Sequence, residues 1–366
     1  MKHSLPSLRT VALLLFVCFL GLLLLTHTPV ATSGVEKGLS LCMEILFPSL
    51  FPFLVLSELL VSQGAGGWVG KPLARPAHAL LGITENGTAA LLLGMICGLP
   101  VGITIAVGLC ERGEMTRKEL HRLMLFANNP GAGFLIGAVG EALFGMRGAG
   151  VALFLITWLS AAAVGITLRA LCGTVGENGK RTANGARKAP CLKDLTGSVT
   201  RGFFSLFHIF SFVIFFSCIS TCLSALPTLA NLPAGIRVTL YGMLEMTSGI
   251  GQAVTAFPPE TAFRFTVFFA NFAGLSVFLQ LFAVAESQSL HPLPYLGAKL
   301  MQGGISLVLA EIYLRLFRPC FNTRASIATF AENSIQQGTT LGVAFLVCML
   351  LLCSAVWSHR RCHRRP

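Results

Sequence analysis

The residues with the most to say about chemistry are amides set in apolar surroundings. Asn128 and Asn129, with Pro130, Gly131, Ala132 and Gly133 behind them, interrupt one apolar run, and Asn271, followed by Gly274, interrupts another. Such a break frees backbone groups that lipid cannot satisfy, so it must face protein or a water-filled cavity. Each amide offers two donors and an acceptor. At a half-helix N-terminus, which carries partial positive charge, amides and exposed N–H groups together hold a carboxylate or a shell of water. Their plainer role is to cap the broken helix, but a break repeated in corresponding places points to a transporter's binding site.

Two further groups belong to this picture. Pro100, between Gly98 and Gly102, weakens the middle of a neighbouring span, and either opens it toward the same cavity or lets helices pack closely. Glu245, Ser248 and Gln252 share one helical face. A carboxylate at membrane depth is by default functional, so Glu245 with Gln252 is the candidate for proton or ion coupling. A structural pairing of Glu245 with Lys299 or Arg264 is an equal alternative. The substrate-contacting set is therefore Asn128, Asn129, Gly131, Asn271, Pro100 and Ser248. No nucleophile with its base, no metal-ligand set and no phosphate loop is legible, so no enzymatic activity, metal or cofactor is expected. Tail residues His359, Cys362 and His363 fall short of a ligand set.

The elements that position these residues are membrane helices. Of 366 residues, 54% are hydrophobic and 11% charged, against roughly 25% charged in soluble domains. Apolar runs of about bilayer length cover residues 11–25, 88–109, 148–171, 238–257, 265–284, 296–316 and 341–357. Most of the 12 cysteines lie in such runs and read as small hydrophobes. The net charge of +12 clusters beside the spans, in the N-terminus, the segment 173–195 and the tail. That placement reads as orientation in a bilayer rather than as a nucleic-acid surface. The first run reads as an uncleaved signal anchor.

The chain repeats its plan. Residues 38–61 carry Pro48 and Pro52, with Glu44 and Glu58 on either side, and 200–226, with His208, stand in the same place in the second half. If both segments are re-entrant hairpins, the termini, residues 111–122 and the linker all become cytoplasmic. Only eight of the 27 Lys and Arg residues then remain outside, namely Lys37, Lys71, Arg75, Arg147, Arg264, Arg315, Arg318 and Arg324. The expected fold is all-α and polytopic. It has two inverted repeats, each a re-entrant helical hairpin plus three spans with a broken helix, flanked by an extra span at each end. The divisions are an anchor span (1–37), a first repeat (38–172), a basic cytoplasmic linker (173–195), a second repeat (196–318), and an external loop, last span and tail (319–366). Thr116, with Glu119 three residues on, reads as a capping box, while Arg122 and Arg264 precede the two breaks.

The runs ILFPSLFPFLVLSELL, GMICGLPVG and ERGEMTRKELHRLMLFANNPGAGFLIGAVG resemble the sporulation integral membrane protein family with nucleoside-recognition, or Gate, domains. The resemblance spans nearly the whole chain. It implies a transporter that exports dipicolinic acid from the mother cell of an endospore former across the outer forespore membrane. The expected partners are thus a small organic anion and the lipid bilayer, with no nucleic acid and an undetermined oligomeric state. Two other readings stay open: a carrier of nucleosides or another small solute, and a sporulation membrane scaffold that transports nothing.

Overall fold

A computed structural model describes residues 8–62, 70–175, 192–285, 288 and 291–317. Among these, every regular element is helical. The chain opens with α1 (Leu8–Thr26), bends by 100° at His27, and continues as α2 (Thr28–Ser40). A π-helical stretch, Leu41–Leu46, leads into α3 (Phe47–Ser62). After α4 (Ala74–Leu81) and a second sharp corner come α5 (Glu85–Cys97), α6 (Val101–Glu111) and α7 (Arg117–Phe126). Then follow a π-helical segment, Gly133–Leu143, and α8 (Arg147–Cys172). The second half contains α9 (Leu192–Ser224), a short α10 (Pro227–Ala230), α11 (Ala234–Leu244), α12 (Met246–Ala256), α13 (Pro259–Phe272), α14 (Gly274–Val284) and α15 (Pro292–Phe317).

Among the described residues, four helical stretches are long and apolar enough to cross a bilayer: Arg147–Cys172, Leu195–Ser224, Pro259–Val284 and Pro292–Phe317. Their outer faces carry exposed Leu155, Leu159, Phe204, Val308 and Ile312, an apolar surface suited to lipid. The chain is a multi-pass, all-α membrane protein.

The proline-bearing segments do not turn back, contrary to the sequence reading. The helix runs through Pro48 and Pro52, and its preceding π turn, closed by Phe47 N donating to Cys42 O, adds the slack that proline rings need. Its counterpart α9 is one continuous 33-residue helix with no proline to break it. The two rods pack along each other, with an ideal Cβ on Gly38 falling 2.9 Å from Ile214 Cα. This is the close approach that small residues permit.

The turn-backs occur instead in the two segments expected to be full spans. An ideal Cβ on Gly94 would lie 2.7 Å from Gly102 Cα, whereas residues eight apart in a straight helix lie about 12 Å apart. Thus α5 and α6 form a tight hairpin with its tip at Gly98-Leu99-Pro100. Likewise α11 and α12 reverse at Glu245, bringing Gly242 and Gly249 together. The reason is the same in both: glycines on facing sides let two backbones touch, and a break between them lets the chain reverse.

Each half therefore runs in the same order: a long rod, a tight hairpin, a helix with a break, and a 26-residue helix. In each half the hairpin tip meets the break. A Cβ on Gly131 would fall 2.7 Å from Gly98 N, and one on Gly274 would fall 3.1 Å from Gly242 O. The central helices α8 and α15 pack together, with α13 against α15. No helix boundary falls at residues 37/38 or 195/196, since α2 and α9 run across them. The expected last span, the external loop and tail, and residues 176–191 of the linker lie outside the described residues.

Candidate substrate-binding site

The first break is built by α7. Thr116 caps it, accepting from Glu119 N at 3.2 Å, and it ends at Ala127, leaving carbonyls free. Asn129 turns its Nδ2 back to one of them, Phe126 O, at 2.6 Å. The capping role is thus real, but it uses only the donor end. Asn129 Oδ1 faces the protein centre and accepts from Lys299 Nζ at 3.0 Å and from Gln302 Nε2 at 2.7 Å.

The second break repeats this division of labour. Asn271, in the last turn of α13, donates to Val267 O at 2.8 Å and to Thr157 Oγ1 at 3.3 Å. Its Oδ1 accepts from Ser160 Oγ and Gln302 Nε2, each at 3.0 Å. Gln302 on α15 therefore bridges the two broken helices, bonding one amide from each half.

At the centre stands Lys299, 1% exposed. Its Nζ donates to Asn128 O at 2.6 Å, Asn129 Oδ1 at 3.0 Å and Gln302 Oε1 at 3.0 Å. All three acceptors are neutral, and among the described residues no carboxylate lies within ion-pair distance of it. One turn earlier, buried Tyr295 accepts from Asn128 Nδ2 at 3.1 Å. Asn128, Asn129, Thr157, Ser160, Asn271, Lys299 and Gln302 are all buried. Three neutral oxygens satisfy an ammonium's donors but supply no counter-charge. The charge of the ammonium is thus left without a fixed counter-ion among the described residues.

Of the residues singled out from sequence, Asn128, Asn129 and Asn271 come together here. Gly131 and Pro100 do not bond to the cluster. Gly131 packs on the tip of the first hairpin, and Pro100 precedes α6. Glu245 caps α12, accepting from Thr247 N at 2.9 Å and Ser248 N at 2.6 Å, and also from Thr247 Oγ1. It pairs with neither Lys299 nor Arg264, whose partner is Glu311 at 2.9 Å. Ser248 serves that cap, and Gln252 lies half-buried on α12. Arg122 donates to Gly173 O at 2.6 Å, and Glu58 pairs with Arg201 at 2.8 Å.

The capping box at α7 is half formed. Buried Glu119 turns away from Thr116 and accepts from Thr84 N at 2.6 Å and Thr84 Oγ1 at 2.8 Å. Burial pushes its carboxyl above the usual range, a rise that the Thr84 bonds and nearby Arg122 only partly offset.

Lys299, Gln302, Tyr295, Thr157 and Ser160 were missed as site residues by the sequence reading. A signal existed: Tyr295, Lys299, Gln302 and Ser306 recur at helical spacing on one face of an apolar helix. In the sequence reading Lys299 is a cytoplasmic-side charge and a candidate structural partner for Glu245, not a site residue.

Comparison with known proteins finds one relevant relative. The chain is 26% identical over 404 residues to the sporulation integral membrane protein YlbJ of Bacillus subtilis (strain 168), covering 98% of each chain. No family model matches the sequence, and no solved structure matches it.

Proposed function

We propose that this protein is a secondary transporter or facilitator of a small organic anion. The observation that carries the reading is Lys299, buried among amides from both halves without a carboxylate partner. An isolated buried charge costs several kcal/mol, and a bound carboxylate would offset that cost. Polar breaks in both halves support transport over a scaffold, because a scaffold gains nothing from polar groups at membrane depth. On this reading the two halves are inverted repeats, and one rocks against the other around the fixed cluster.

The resemblance of the motifs, together with the near full-length likeness to a sporulation membrane protein, supports dipicolinic acid as the anion. It also supports export from mother cell to forespore, across the outer forespore membrane; the Lys and Arg clustered at both ends of the chain support cytoplasmic termini. Four neutral amides around the cluster keep a second reading alive, a carrier of nucleosides or another uncharged solute, as Gate-type domains suggest. No enzymatic step is assigned to any residue.

Proteoliposomes holding the purified chain test this directly, with labelled dipicolinate and a nucleoside as substrates. Saturable dipicolinate flux is expected. Lys299→Met should reduce it about 100-fold, at a stability cost of about 1–3 kcal/mol from the carbonyl oxygens left without a donor. The Asn128→Ala, Asn271→Ala double variant should also lose flux while staying in the membrane. Nucleoside flux that survives Lys299→Met, with no dipicolinate flux, would replace the anion reading with the second one.

A further inference from the structure

Beside the buried cluster lies a cavity of about 870 Å³. Arg117, Lys118, His121, Arg122 and His291 line it, and among the described residues no Asp or Glu does. Its inner wall includes Tyr295 and Phe282. Tyr295 is 4% exposed, and the Asn128 amide that bonds its hydroxyl belongs to the residue whose carbonyl holds Lys299. One side chain thus separates a basic cavity from the lysine cluster.

That side chain is held at its ring by a stacked pair of phenylalanines and at its hydroxyl by Asn128. Its ring lies 5.4 Å from Phe278 and 6.3 Å from Phe282, and those two rings stack at 4.6 Å. Both phenylalanines sit on α14, which joins α13 through Ala273 and Gly274, with φ of 73° and 77°. Two successive left-handed residues, the first of them not glycine, form a non-helical joint. Rotation at that joint would carry Phe278 and Phe282 away from Tyr295 while leaving Asn271 in place on α13.

We propose that the basic cavity is a loading vestibule for small carboxylate anions, and that Tyr295, backed by the stacked Phe278 and Phe282, is the gate between it and Lys299. The cationic rim concentrates anions at the mouth. The Tyr295–Asn128 bond is the latch, and it ties the gate to the residue whose backbone carbonyl accepts from Lys299. This deepens the carrier reading and rests on it for its purpose, but its test reads access rather than transport.

The test is cysteine labelling of the full-length, purified chain, with a negatively or positively charged methanethiosulfonate and with the other cysteines replaced by serine. Cys172, which lines the cavity, should react about tenfold faster with the anionic reagent than with the cationic one, after correction for intrinsic rates. The Arg117→Gln, Lys118→Gln pair should remove that preference. Ser160→Cys reports from behind the gate. It should resist the anionic reagent while Tyr295 is present, react slightly with Tyr295→Phe, and react about tenfold faster or more with Tyr295→Ala. Equal rates of the two reagents at Cys172 would overturn the vestibule. An unchanged Ser160→Cys rate in a monodisperse Tyr295→Ala protein would overturn the gate. If Tyr295→Ala fails to fold, Phe282→Ala opens the same wall and is judged by the same rates. Absence of dipicolinate flux in proteoliposomes would count against the carrier reading alone.

Discussion

A buried amide does two jobs in this protein because its two ends are chemically different. Asn129 and Asn271 each spend their donor end on a carbonyl freed by the helix break, and each aims its acceptor end at the centre. Capping and binding are alternatives in the sequence; the geometry lets one residue cap with its donor end and present its acceptor end to the buried cluster. Glu245 resolves differently, because both of its oxygens are taken by the first turn of α12. Glu245→Gln should therefore lower stability by about 1 kcal/mol, the usual cost of a lost cap, and leave flux and its dependence on ion gradients intact. Thermal unfolding in detergent and flux under imposed proton and sodium gradients check both parts. Loss of gradient dependence would restore the coupling role expected from sequence.

Among the elements, the hairpins matter most, because each presses its tip on a break and so holds the amides in register. The first does so backbone to backbone at Gly98 and Gly131, where Gly98 also adopts φ of 89°, a conformation suited to glycine. The second depends on Gly242 and Gly249, which leave no room for a methyl group between α11 and α12. Gly249→Ala should thus cost roughly 2–3 kcal/mol through overpacking, and Asn271 should lose its support. Gly251→Ala, two residues on, meets nothing within 4 Å. It should be neutral or slightly stabilising, since alanine favours helix by about 1 kcal/mol. Melting temperatures of the two variants, measured side by side, give the comparison, and equal losses would contradict the packing account.

At the scale of the molecule, charge divides between two ends. Arg117, Lys118, His121 and Arg122, with His291 just before α15, line one cavity whose remaining wall includes Leu168 and Cys172 at the end of α8. At the other end of α8 and α15, Arg147 pairs with Glu141, and Arg264 and Arg315 pair with Glu311. Lys and Arg concentrate on the cytoplasmic face whatever acids lie beside them, so the vestibule should open to the cytoplasm. In intact cells, an impermeant maleimide should label Gly145→Cys from outside and spare Cys191 in the linker until the membrane is permeabilised. The opposite pattern would invert the transport direction drawn above.

Composition, run lengths and paired breaks sufficed to place this chain in a bilayer as helices and to single out Asn128, Asn129 and Asn271. These are local properties: apolar length sets what spans, and a break in an apolar run has few solvents available to it. Which segments reverse was not local. Pro48 and Pro52 signal a turn by their chemistry, yet a π turn and the flank of α9 carry the helix past them. The actual reversals depend on glycines meeting across a hairpin, a contact no single window contains. Lys299 was hidden for the same reason. In sequence it is one charge near the start of a helix, and only the packing of α15 between both breaks decides that it is buried, bonded to neutral oxygens and left without a counter-ion.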